Sequence, residues 1–328
     1  MSFTRVLLTA ALLSASSQAI WAAEKDDVVV SIKPIHSLVS AVMQGVGEPS
    51  LIVKGAASEH GYSLKPSDAS ALENAKVIFW VGPEMETYLT KPLGSLGGKA
   101  NIVRLEQVKG LELLPAREGG NFEAHDHGGD GHDEDAHKHE AHSHEANHDH
   151  KDEAHEHHHD DMHIWLDPKN AKLMLEPIAE ALSKADPEHA KQYHDNAIAY
   201  AGKLDDLQKE VTAELEPIRN KPYIVFHDAY QYFDRRFVLA AAGSITVNPE
   251  KAPGAARIRE IQAKVQSLGA TCVFSEPQFE SRLVTTVLEG TKAKTGVLDP
   301  LGSDIKDGPE LYPQLIRNLA TSLKACLQ

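Results

Sequence analysis

The chain has 328 residues, with 33 Lys or Arg, 48 Asp or Glu, 19 His and two Cys. That length accommodates two ordinary domains with hydrophobic cores. The formal charge of −15 is concentrated: residues 123–161 hold fourteen acidic side chains and two lysines, leaving the remainder near −3, so the folded part has no electrostatic reason to bind nucleic acid or an anionic membrane.

The first residues have the three parts of a secretory signal. Arg5 supplies the positive start, Val6 to Leu13 the apolar core, and small residues follow. Ser17-Gln18-Ala19 is the best small-x-small cleavage site, with Ala22 and Ala23 as rivals; a signal of residues 1–23 directs the mature chain to export. The apolar run is too short for a membrane anchor.

Beyond it, strand and helix patterns alternate. Apolar, β-branched runs at 28–34, 49–54, 76–82 and 101–105 read as strands, and 35–44, 66–75 and 84–91 read as helices. Short connections between them predict parallel βα units. After a polar tract, order resumes at Met162, and Asp167-Pro168 starts a helix to about Ala185. The stretch 186–220 is helical throughout, with Asp186 to cap it and Pro187 in its first turn. About thirty residues at 1.5 Å each span roughly 45 Å, more than a βα unit needs. It reads as a rigid strut. Strands at 222–226, 271–275 and 295–298, with helices from 228 and over 255–269, 279–294 and 309–327, then repeat the alternation. The predicted fold is α/β: a lobe over 24–185 with an insertion at 123–161, a linking helix over 186–220, and a second lobe over 221–328. Cys272 and Cys326 are an even pair in an exported chain, which favours a disulfide over two buried thiols.

The insertion holds thirteen of the nineteen histidines. Imidazole is the commonest protein ligand for zinc and its first-row neighbours, so the composition announces a transition metal. Dense charge without apolar periodicity predicts disorder in the absence of metal. Two H-E-x-x-H strings occur there, at 144–148 and 155–159, but the protease motif needs a stable helix, and so rich a composition produces such strings by itself. The tract reads as a weak, multi-site zinc collector, with dispensability as the alternative.

Six histidines lie elsewhere. His189 and His194 sit among charges on the strut and read as solvated; His36 opens a helix and reads as a cap or partner. His60, His163 and His227 each fall at a strand end or where an ordered apolar element begins, and ligands bind outside the carboxyl ends of parallel strands. Three imidazoles suit zinc, which is normally four-coordinate. Glu59 beside His60, Asp299 before Pro300, Glu276 after the 271–275 strand, or water can complete the set.

The run from Gly55 to Asp68 (GAASEHGYSLKPSD), Met162–Pro168 (MHIWLDP), Phe226–Tyr230 (FHDAY) and Leu298–Gly302 (LDPLG), taken together, resembles the periplasmic zinc-binding proteins of high-affinity zinc-uptake ABC transporters. The likeness spans essentially the whole mature chain, including the acidic His-rich insertion and the paired cysteines. It implies two lobes joined by a rigid helix, with Zn²⁺ captured in the cleft between them and no bond chemistry. It implies an inner-membrane ABC permease with its ATPase as partners, admits a periplasmic zinc chaperone, and is consistent with a monomer. Manganese-binding relatives are similar but carry a carboxylate where His227 stands, and a third imidazole favours zinc over harder ions. A zinc-dependent hydrolase with Glu59 as its base, and a metal storage or adhesion protein built around the tract, are the rival expectations.

Overall fold

The computed structural model describes residues 27–117, 160–246, 249–269 and 271–328. The signal segment and the His-rich tract up to residue 159 lie outside the described residues.

Two four-stranded parallel sheets organise the rest. The first contains β1 (Val28–Val30), β2 (Ser50–Leu51), β3 (Val77–Trp80) and β4 (Asn101–Arg104), in the order β2-β1-β3-β4. β1 and β3 are buried along their whole length, which is why they read as continuous apolar runs. Helices α1 (Lys33–Val42), α2 (Pro66–Asn74) and α3 (Thr87–Ser95) connect them. The predicted first strand ends earlier than its apolar run, because Pro34 stands in the first turn of α1. α2 starts on Pro66, and Asp68 accepts from the Lys65 amide at 2.8 Å.

A short antiparallel pair follows, β5 (Leu114–Pro115) with β6 (Asp160–Asp161). It corrects the predicted insertion boundary: Asp160 and Asp161 belong to the folded body. Asp167 then caps α4 (Pro168–Ala185) by accepting from the Lys169 amide.

The second sheet holds β7 (Tyr223–His227), β8 (Ala241–Thr246), β9 (Cys272–Ser275) and β10 (Lys294–Val297), ordered β10-β9-β7-β8. Counted from its own first strand, each sheet has the order 2-1-3-4. In both, the strand order reverses between the first and third strands. β8 was not anticipated, because Ala-Ala-Gly-Ser carries no apolar run. Its partner β7 supplies the ladder that makes it a strand. The helices of this half are α6 (Gln231–Phe237), α7 (Ala255–Leu268), α8 (Arg282–Leu288) and α9 (Leu311–Leu327). α8 is shorter than the predicted 279–294 span. Cys272 in β9 is bonded to Cys326 in α9, as the even count favoured.

The linking stretch is α5 (Ala190–Leu215) flanked by single 3-10 turns at Pro187–His189 and Glu216–Ile218. Tyr193, Ala197, Tyr200, Leu204, Leu207, Val211 and Leu215 form one buried stripe along it. α5 packs on α4, α1 and α9, so it is a helix seated against both halves rather than a free strut. Hydrogen bonds also cross directly between the halves. Trp165 Nε1 donates to Pro300 O at 2.9 Å, and Tyr312 OH to Trp165 O at 2.7 Å. Buried Lys33 donates to Ile305 O at 2.9 Å and pairs with Asp307 at 2.8 Å.

Candidate metal centre

Glu59, His60, His163 and His227 each offer a donor atom, and these atoms lie within 4.8 Å of one another. They come from four places in the fold. Glu59 and His60 lie in the loop between β2 and α2. His163 follows β6 and precedes the turn at Ile164–Leu166. His227 is the last residue of β7, beside the point where the second sheet reverses strand order. The Nε2 atoms of His60 and His163 are 3.3 Å apart, as are those of His163 and His227.

Two rings are held from behind. Asp161 Oδ1 lies 2.8 Å from His163 Nδ1 and also accepts from the His163 amide at 3.0 Å. Glu276 Oε2 lies 2.6 Å from His227 Nδ1, and Tyr230 OH donates to Glu276 Oε1 at 3.2 Å. A carboxylate on Nδ1 leaves Nε2 free to face a cation, and such partners orient imidazole ligands and raise their basicity. Glu276 follows β9, the strand paired with β7 across the reversal point.

Glu59 has no solvent exposure, and neither of its carboxylate oxygens has a hydrogen-bond partner among the described residues. A buried carboxylate without partners is costly, and this one is aimed at the three Nε2 atoms. Its Oε1 is 3.9 Å from His60 Nε2. Asp299 does not join the set. Its Oδ1 accepts from the amides of Leu301 and Gly302 at 3.0 Å, and its Oδ2 from the Ser303 amide at 2.5 Å, so it organises the turn after β10. Glu276, weighed as a ligand from sequence, lies behind His227. Asp161 was missed because it was assigned to the insertion; its signal was its position two residues before His163.

Protonation follows from this layout. Burial and the neighbouring imidazoles hold His60 well below the usual histidine value; burial and His227 do the same to His163. Burial also acts to lower His227, but the Glu276 carboxylate outweighs it and raises His227 to about 9. Burial raises Glu59 to about 7 against the opposing pull of His227. The other three histidines among the described residues are engaged elsewhere. His36 Nε2 is 2.9 Å from Pro49 O, His189 Nδ1 is 2.7 Å from Asp186, and His194 Nδ1 is 2.9 Å from Glu176.

Two α/β halves with three imidazoles and a carboxylate converging between them define a metal-ion-binding protein of the two-lobed solute-binding class. Comparison with known proteins gives the family. The model of the zinc-uptake complex component A, periplasmic, matches residues 28–326. The high-affinity zinc uptake system protein ZnuA of Brucella abortus (strain 2308) is 64% identical over 326 residues, covering 98% of each chain. That of Haemophilus ducreyi is 37% identical over 325 residues, covering 99% of each. A crystal structure of ZnuA superposes with a TM-score of 0.73 at 23% identity, covering 93% of this chain and 100% of the other. The periplasmic zinc-binding protein TroA of Treponema pallidum gives 0.71 at 18% identity, covering 92% and 98%; these structures speak to fold alone. The chain belongs to the ZnuA family: it is a periplasmic zinc-binding component of a high-affinity zinc uptake system.

Proposed function

We propose that Glu59, His60, His163 and His227 are the four ligands of the transported Zn²⁺, and that the protein hands the ion to an inner-membrane ABC permease driven by its ATPase, without bond chemistry. The observation that carries the ligand set is the convergence of three Nε2 atoms on a fully buried carboxylate that has no other partner among the described residues. A 3-imidazole, 1-carboxylate set suits a borderline-soft ion in a four-coordinate site. What weighs against the hydrolase reading is that Glu59 stands among the donors, which removes it as a separate general base. The His-rich tract, on its composition, serves as an auxiliary low-affinity collector that ends, along the chain, a few residues before His163. Export by cleavage of residues 1–23 and the division into lobes at about 185 and 221 belong to the same reading.

The test is zinc affinity by chelator competition for Glu59→Gln, His60→Ala, His163→Ala and His227→Ala, with and without residues 124–159. Each ligand variant is expected to lose more than the roughly 10–100-fold that removal of an outer partner costs. Deleting the tract is expected to lower stoichiometry and spare the tightest site. Full affinity in His227→Ala would sink the ligand assignment.

A further inference from the structure

The three imidazoles are not held alike. His163 and His227 each have a carboxylate on Nδ1, whereas among the described residues nothing partners Nδ1 of His60. His60 is also the most exposed of the three, with 22% of its side chain accessible against 8% and 2%. What fixes it is its backbone. The His60 amide donates to Ser58 Oγ at 3.2 Å, and Ser58 Oγ donates to Glu250 Oε1 at 2.6 Å. Glu250 lies beyond β8, in the other half of the molecule from His60.

A second observation puts the Glu250 carboxylate in the same place. It lies directly over Gly61: a Cβ added there would stand 2.4 Å from Glu250 Oε2 and 2.5 Å from its Cδ. The φ of Gly61 is not in the left-handed region, so a methyl group there would meet no backbone strain but would push the end of the Glu250 side chain aside. Glycine here gives the carboxylate room to reach Ser58.

We propose that Glu250 is a positioning residue for zinc capture: it braces the 58–61 loop across the cleft through Ser58 and thereby sets how long the ion is retained. The inference rests on the reading of His60 as a ligand. A bond that holds the ligand-bearing loop against the other half opposes movement of that loop away from the ion. Loss of the brace therefore acts mainly on dissociation, where most affinity differences between variants of one site reside.

The experiment loads the full chain with half an equivalent of zinc and follows transfer to a chromophoric chelator by stopped flow. Glu250→Ala is expected to release zinc about fivefold faster, the scale of one ordinary hydrogen bond. Glu250→Gln keeps an oxygen acceptor for Ser58 Oγ and is expected to stay near the parent rate. Gly61→Ala is expected to match Glu250→Ala and to add nothing to it, since both remove one interaction. An unchanged rate in Glu250→Ala overturns the proposal. So does a Glu250→Gln rate as fast as that of Glu250→Ala, which would assign the effect to charge. His60→Ala separates the two levels: if it leaves affinity intact, the ligand reading fails and the brace with it; if it weakens binding while Glu250→Ala does nothing, the brace alone fails.

Discussion

At the scale of residues, the site is a competition between zinc and protons. His60 and His163 are neutral at physiological pH, since burial and their neighbours push both below the ordinary histidine value. His227 is not, because Glu276 raises it to about 9, and Glu59 titrates at about 7. Zinc must displace the Nε2 proton of His227 while Nδ1 keeps its bond to Glu276. Both raised groups bind a proton that the ion excludes, so affinity falls as pH falls. Between the two values one proton competes, and affinity is expected to drop about tenfold per pH unit; below about 7 Glu59 adds a second proton and the slope steepens. Unperturbed imidazoles would confine the loss to pH values below about 6.5. Chelator competition across this range, with calorimetry in buffers of different ionisation heat, checks it. No proton release between the two values would mean that His227 is already neutral before the ion arrives or does not bind it.

At the scale of elements, local rules account for most starts and stops. Pro66 with Asp68, and Asp167 with Pro168, open α2 and α4 as their spacing predicts. Gly269, at φ 74°, ends α7. One terminus departs from the rules. α6 ends on Val238 with φ 57°, the left-handed region, which costs a β-branched residue about 1–2 kcal/mol. Val238 is 52% exposed, so little packing opposes its replacement. Val238→Gly is expected to raise unfolding stability by about 1 kcal/mol and to leave zinc affinity unchanged, as denaturant titration and chelator competition will show. A loss of stability would mean that the valine side chain contributes more than its exposure suggests.

For the whole molecule, rigidity has more than one source. The stripe on α5 is seated against α4, α1 and α9, and bonds made by Lys33, Trp165 and Tyr312 tie the halves together directly. Arg236 adds a bidentate pair with Asp167, both bonds at 2.7 Å. The disulfide closes a 54-residue separation and fastens α9 to the start of β9. Removing it by Cys272→Ala with Cys326→Ala is expected to cost about 4 kcal/mol of unfolding stability in the chain-entropy view. Zinc affinity should persist, because Cys272 opens β9 at the end remote from Glu276. A parallel loss of affinity in the folded variant would show that the bond also shapes the site.

What the sequence by itself determined is whatever neighbours along the chain encode. The buried runs of β1 and β3, the caps of α2 and α4, and the imidazole chemistry all lie in short segments. His60, His163 and His227 stood out because each borders an ordered apolar element, and the resemblance joined them into one set. The tertiary structure decided what depends on distant segments meeting. β8 is a strand because β7 lies beside it, not because Ala-Ala-Gly-Ser demands one. Asp161 and Glu276 sit behind imidazoles because β5 pairs with β6 and β9 with β7. Asp299, the alternative to Glu59 on sequence, turns inward to its own loop amides, while Glu59 has no hydrogen-bond partner among the described residues and faces three nitrogens. Periodicity and caps act over a few residues, but donors at positions 59, 163 and 227 converge only when the two halves pack, and that packing places Glu250 over Gly61.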